Sequence, residues 1–214
     1  MNTRSHPMRC WLLMSVTSVG VAAWACGARA DEAPAGEALD PPSAVKQMSR
    51  PGPHEAAMVA QSGTWSVVAT MWPAPHAAPV VTRGLVAERV MIGAYLREIM
   101  QPAPGSNVLD FRRLDYLNFD HVEGRWKYVS MDTRFPVSIM PAKSNGIGED
   151  ARIALQFEPQ AFVGFGADVE GRFMLSDMVL TSIDKDHQVK EQRVNMAGKG
   201  ESWLFVRYEY LRQR

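Results

Sequence analysis

Cysteine and long apolar runs are scarce in this sequence, and each shortage excludes a class of protein. The 214 residues include 2 cysteines, Cys10 and Cys26, and both lie within the first 30 residues. If the chain is cleaved after Ala30, the remainder has no thiol, which excludes disulfides, a thiolate nucleophile and a cysteine-ligated metal. No stretch after residue 30 is apolar over the roughly 20 residues that a membrane-spanning helix needs.

An excess of charge of one sign is also lacking. Basic residues (Lys and Arg) and acidic residues (Asp and Glu) both number 23. The first 30 residues contain Arg4, Arg9 and Arg29 and no acid, so the rest carries 20 basic against 23 acidic residues. Because phosphate binding needs a concentrated basic surface, the sequence predicts no nucleic-acid partner.

Motifs for covalent or metal-assisted catalysis are missing. The sequence has no Gly-x-Ser-x-Gly and no His-Glu-x-x-His, and the histidines after residue 30 occur singly. We therefore predict no cofactor, no metal site and no catalytic residue, and a role other than catalysis is favoured. An enzyme that uses Glu98 and Asp132 for acid and base chemistry is the weaker alternative.

The N-terminal 30 residues have the pattern of a secretory signal. Arg4 and Arg9 precede an uncharged, largely apolar run from Trp11 to Ala25, and Ala28-Arg29-Ala30 is a small-x-small sequence typical of signal cleavage. We expect cleavage after Ala30 and a periplasmic or secreted product.

Lipidation is a competing way of processing the same segment. Ala23-Trp24-Ala25-Cys26 resembles the lipoprotein signal, although Trp24 is bulky where a small residue is usual. Lipid chains on Cys26 would anchor the protein to a membrane. Membrane association is expected only in that case.

The chain after the signal divides into a linker and one folded domain. Residues 31–50 are rich in Ala, Pro and Glu and predict a disordered linker. His54 to Gln61 has helical character and Gly63 ends it. Residues 51–214 are expected to form a single domain.

Period-two alternation, typical of half-buried strands, dominates the chain from Trp65 onward. About nine or ten strands follow one another through short turns: 65–72, 80–92, 95–101, 109–119, 124–131, 135–140, 152–158, 173–183, 187–196 and 202–211. An open meander would leave two exposed edges, so we predict an all-β, antiparallel up-and-down barrel with one short N-terminal helix. A two-sheet sandwich is the alternative.

Several short motifs resemble one family. They are Pro51-Gly52-Pro53-His54, Gly63-Thr64-Trp65, Leu96-Arg97-Glu98, Phe119-Asp120 with Gly124-Arg125-Trp126 and Asp132, Asp184-Lys185-Asp186-His187 and Tyr208-Glu209-Tyr210. In this order they look like the uncharacterised bacterial family catalogued as domain of unknown function 1579. The resemblance implies a lipocalin-like, calycin-type barrel and brings no catalytic residues with it.

Aromatic and charged side chains in the strands are the candidate ligand contacts, because a ligand cavity is mostly apolar with a few polar groups. Mid-strand charges such as Glu98, Arg113 and Asp115 either point inward and must be paired, or point outward and form weak solvated pairs. The alternation leaves this open. The candidate ligand-binding residues are Trp65, Tyr95, Arg97, Trp126, Tyr128, Asp132, Trp203 and Tyr208.

These observations favour an exported protein that binds a small apolar or amphipathic molecule in a barrel cavity. Thirteen methionines would suit an adaptable pocket or an ordinary core equally well. The alternative is a structural or interaction module of the cell envelope, anchored through Cys26.

Overall fold

The structure, a computed structural model, describes residues 43–48, 50–135, 139–149, 151–161, 172–196 and 199–214. The predicted signal segment, with Cys26 and Ala30, lies outside the described residues, as do the first residues of the predicted linker. No helix in the described part is long and apolar enough to cross a membrane.

The described chain consists of two short helices followed by eleven strands. The helices are α1 (Ser43–Met48) and α2 (Pro53–Val59). The strands are β1 (Gly63–Met71), β2 (Val80–Ile92), β3 (Tyr95–Pro102), β4 (Arg113–Asp120), β5 (Arg125–Asp132), β6 (Ile139–Ser144), β7 (Arg152–Phe157), β8 (Gln160–Ala161), β9 (Phe173–Ser182), β10 (His187–Met196) and β11 (Lys199–Arg212).

Ten of these strands form a closed wall, and all of their pairings are antiparallel. The order is β10-β11-β1-β2-β3-β4-β5-β6-β7-β9, and β9 also pairs with β10, which closes the sheet on itself. The two-residue β8 pairs with the start of β9. Closure gives every strand of the wall two neighbours, so the predicted antiparallel barrel is confirmed and the sandwich is not formed.

Element bounds differ from the prediction at β4 and β6. The strand predicted from Leu109 begins only at Arg113, and Leu109 is 88% exposed. The strand predicted over 135–140 is shifted to Ile139–Ser144. Pro141 lies inside β6, although proline cannot donate a ladder hydrogen bond and is uncommon within strands.

The junction between α2 and β1 is held by the last strand. Arg212 of β11 donates from Nη2 to Ala60 O and from Nη1 to Ser62 O, both at 2.6 Å, and its guanidinium carbon lies 4.3 Å from the Trp65 ring centroid. Gly63 has φ of +130°, and a Cβ there would lie 2.9 Å from Arg212 Nη1. A glycine is therefore required where the chain turns from helix to strand.

Helix α2 packs at one end of the barrel, beside the turn between β4 and β5. Met58 is completely buried, and His121 Nε2 in that turn lies 2.8 Å from Glu55 Oε1. The Gly52 backbone N–H donates to Glu55 Oε2 at 2.7 Å, and Pro53 begins the helix. His54 stacks on Phe119 with ring centroids 3.8 Å apart. These contacts attach the helix to the β4 side of the barrel end.

Candidate functional site

A layer of charged side chains crosses the barrel interior between two apolar clusters. On β3 the buried residues are Leu96, Glu98 and Met100, so a carboxylate lies between one residue of each cluster. Ser176 takes the same place on β9, between Met174 and Met178. The polar residues of this layer are all at least nine-tenths buried.

Lys190 is the centre of the layer. Its Nζ on β10 lies 3.0 Å from Glu98 Oε1 of β3 and 2.8 Å from Asp115 Oδ2 of β4. The same ammonium lies 5.4 Å from the Tyr210 ring centroid and 5.7 Å from the Tyr128 ring centroid. One cation therefore joins two buried carboxylates and is enclosed by aromatic faces, which favour a cation.

Arg89 extends the layer towards α2. Its Nε donates to Glu98 Oε2 at 2.6 Å, and its Nη1 donates to the amide oxygen of Gln188. The guanidinium carbon lies 5.0 Å from the Trp65 ring centroid and 4.4 Å from that of Tyr210. The rings of Trp65 and Tyr210 thus both contact the guanidinium group of Arg89.

Arg113 extends the layer towards the opposite end. Its Nε donates to Asp115 Oδ1 at 3.1 Å, and its two Nη groups donate to the hydroxyls of Tyr208 at 2.9 Å and Tyr128 at 3.3 Å. Beyond it, Arg134 holds Asp132 through two hydrogen bonds of 2.9 and 2.6 Å. Asp132 therefore belongs to a separate ion pair near that end.

The pairing keeps these groups charged in spite of their burial. Burial by itself raises the pKa of Asp115, but Arg113 and Lys190 lower it to well below the ordinary range. Burial also raises the pKa of Glu98, and the stronger opposing effect of Lys190 and Arg89 leaves it lowered. For Lys190, burial lowers the pKa, and Asp115 and Glu98 raise it well above its ordinary value. The layer is thus ionised around neutral pH.

A cavity of about 620 Å³ opens at the α2 end, between α2 and the β6–β7 and β9–β10 turns. Its apolar wall includes Ala57, Trp126, Ile153 and Leu180. Its inner side reaches the charged layer, because the lining also includes Arg89, Gln188, Lys190 and Tyr210. The cavity therefore combines an apolar wall with a buried polar floor.

A second cavity, of about 70 Å³, lies at the Arg113 side of the layer. Its lining includes Asp132, Arg134, Tyr208, Met140 and Met174. The charged layer separates this small space from the larger one at α2, since Arg113 and Tyr208 border the small cavity while Arg89 and Lys190 border the large one.

The structure brings some of the predicted ligand residues together and separates others. Trp126 lines the large cavity, whereas Tyr128 and Tyr208 contact Arg113 in the far half of the charged layer and Asp132 lines the small cavity. Tyr95 is 49% exposed and Arg97 follows on the outer face of β3, so neither reaches the interior. Their expected place in a pocket is corrected, because the inward residues of β3 are the even-numbered ones.

Two tryptophans of the predicted set serve packing. Trp65 is completely buried and donates from Nε1 to Gln61 O at 3.0 Å, so none of its surface is open to a ligand. Trp203 is half-buried against the apolar cluster of β1, β2 and β11, and its Nε1 donates to Trp72 O at 3.1 Å. Both indoles are thus satisfied by backbone carbonyls.

Sequence reasoning missed Arg89, Gln188 and Lys190. Arg89 lies on the same inner face of β2 as Leu85 and Ala87. Lys190 lies on the same inner face of β10 as Val194. Counting in steps of two from Leu85 and Ala87 places Arg89 on the inner face, but Val189 and Lys190 are both buried, so the same rule assigns no face to Lys190. Among the described residues, no group of three or more His, Cys, Asp or Glu side chains is placed to hold a metal ion.

The class that this geometry defines is a closed ten-stranded antiparallel β-barrel with a charged layer inside it. No family model and no curated protein matches the chain. Among solved structures the chain is similar to the crystal structure of Rv2717c from M. tuberculosis, at 15% identity and a TM-score of 0.49, over 77% of this chain and 100% of that chain.

Proposed function

We propose that this barrel binds a small amphipathic molecule in the cavity beside α2. The observation that carries the proposal is the cavity of about 620 Å³, with an apolar wall and a polar floor. This volume falls within the range of known small-molecule sites, which are mostly apolar with a few convergent polar groups. The polar floor favours an amphipathic ligand over a wholly apolar one, because buried cations lose hydration without compensation against a hydrocarbon.

The ligand would occupy the end of the barrel and not its whole length. At mid-depth the interior is filled by the charged layer and the two apolar clusters around it. Helix α2 covers the β2–β4 side of this end and leaves the β7, β9 and β10 side for the cavity. Access between α2 and the β9–β10 turn therefore needs no opening of the wall.

An acid and base role for Glu98 and Asp132 is less well supported. Glu98 is paired with Arg89 and Lys190, and its pKa is lowered. Asp132 is bound by Arg134. General acid catalysis near neutral pH needs a carboxyl with a raised pKa, so the pairing of Glu98 argues against that reading.

Filling the cavity tests the proposed function. Ala57 and Ala56 are both exposed residues of α2, but Ala57 lines the cavity and Ala56 is not among its lining residues. We expect Ala57→Phe to weaken the binding of a polarity-sensitive fluorescent dye to delipidated protein by at least about tenfold. The matched variant Ala56→Phe should bind like the wild type. Equal binding by both variants, or no binding by the wild type, would contradict the proposal.

Export and family membership stay predictions from the sequence. The basic start, apolar run and Ala30 site support a periplasmic or secreted location, and Cys26 supports an envelope anchor as the alternative. Membership of the domain of unknown function 1579 family is likewise proposed on the sequence motifs alone.

A further inference from the structure

The charges inside the barrel do not cancel. Arg89, Arg113 and Lys190 face two carboxylates, Glu98 and Asp115, and each of the five is 2–5% exposed. Asp132 and Arg134 add one charge of each sign and leave the difference unchanged. Glu55 lies apart on α2, where it is bound by His121 and the Gly52 N–H. The layer therefore has one cation more than its carboxylates can neutralise.

The charges alternate along the layer with an arginine at each end, and Arg89 is the one that borders the large cavity. Glu98 is shared between Arg89 and Lys190, and Asp115 is shared between Lys190 and Arg113. At the end of the layer away from α2, Arg113 donates its remaining hydrogen bonds to two tyrosine hydroxyls. At the cavity end, the further polar partners of Arg89 are the amide oxygen of Gln188 and the Tyr210 side chain, and neither is a carboxylate.

We propose that the ligand is a monoanionic amphiphile with a carboxylate headgroup, which enters head first and lies beside Arg89 and Gln188. This inference rests on the proposed function and names its ligand class. A buried cation without a full counter-charge is costly, and an arginine fork matches a carboxylate in shape and charge. The apolar tail then lies along Ala57, Ile153 and Leu180 on the cavity wall.

A single substitution can supply the missing charge from the protein itself. In Gln188→Glu, a carboxylate of nearly the same shape replaces the amide whose oxygen already accepts from Arg89 Nη1. The layer becomes neutral, and the ion pair should preserve the fold. A ligand carboxylate would then meet a like charge at the same place, which disfavours it.

The test compares three probes with the same tail: decanoate, decanol and decyltrimethylammonium, titrated calorimetrically into delipidated protein near neutral pH below their aggregation concentrations. We expect the wild type to bind decanoate at least about tenfold more tightly than decanol, since hydrogen bonds to charged groups have this magnitude. The cationic probe should bind most weakly. Gln188→Glu should lose the preference for decanoate over decanol.

The control is Gln156→Glu, which makes the same change on the exposed outer face of β7 and should keep the preference for decanoate. If the wild type binds decanol as tightly as decanoate, the headgroup inference is overturned while the proposed function stands. If it binds none of the three probes, the proposed function fails together with the inference. The wild-type comparison decides the inference even if Gln188→Glu does not fold.

Discussion

Lys190 of β10 and Asp115 of β4 form a salt bridge of 2.8 Å through the middle of the barrel. In the ten-stranded wall these two strands lie five positions apart, which places them on opposite sides. The contact is therefore a strut across the interior and not a pair between neighbouring strands. Both side chains are 4% exposed or less, so the strut is protected from solvent screening.

Removing the strut should destabilise the protein strongly. Lys190→Met leaves Glu98 and Asp115 without their shared cation, and removing one partner of a buried ion pair costs about 3–5 kcal/mol. Urea unfolding would measure the free energy of unfolding. The matched control is Lys127→Met, because Lys127 pairs with the half-exposed Glu123 on the outside, and such pairs contribute about 1 kcal/mol or less. Equal losses in the two variants would contradict the strut.

Arg212 should stabilise the end of α2 and not only the last strand. Arg212→Ala loses the hydrogen bonds to Ala60 O and Ser62 O and the stacking on Trp65. We expect a loss of about 1–3 kcal/mol and faster amide exchange at the end of α2. Arg214→Ala is the control, since Arg214 is 93% exposed and its nearest acid oxygen lies 3.9 Å away. Unchanged exchange in α2 would refute this assignment.

Acid should weaken the attachment of α2. Burial raises the pKa of Glu55, but the hydrogen bonds from Gly52 and its own backbone and from His121 outweigh it, so the pKa lies below the ordinary 4.5. A lowered folded-state pKa gives stability that is present above 4.5 and is lost as pH falls through the folded value. The difference in unfolding free energy between wild type and Glu55→Gln should therefore shrink below about pH 4.5. A difference that is constant with pH would contradict this role.

Processing of the N-terminal segment can be tested separately from the barrel. We expect the mature chain to begin at Asp31, and Cys26→Ser to leave its fractionation unchanged, because cleavage after Ala30 removes both cysteines. N-terminal sequencing of the exported product and cell fractionation would measure this. A shift of the protein from the membrane to the soluble fraction in Cys26→Ser would instead support the lipid anchor.

The barrel could be predicted because the alternation of buried and exposed residues is visible within each short strand. In β1, Trp65 and Val67 alternate with Thr64 and Ser66, and the first pair is buried while the second is exposed. Short turns and the need to remove sheet edges then lead to closure. Bounds were less predictable, because proline inside β6 breaks the local pattern while its neighbours still pair.

The candidate site could be predicted only in part, and for a physical reason. On β3 the inward face carries Glu98 between Leu96 and Met100, so polarity no longer separates the two faces, and Arg97 on the outer face has an equally charged side chain. Trp126 was recognised as a candidate from its aromatic character. Arg89 and Lys190 were not, because a buried cation is stable only through partners on other strands.

The sequence by itself thus determined the scarcity of cysteine, the strand periodicity and the antiparallel barrel, because composition, alternation and turn length can all be read along the chain. Tertiary structure alone decided that Lys190 meets Glu98 and Asp115, from positions 92 and 75 residues apart in the chain, and that the cavity lies beside α2. Closure of the wall places these three side chains at the same height along the barrel axis. Burial then makes the ionised form of each group depend on the opposite charges of the others.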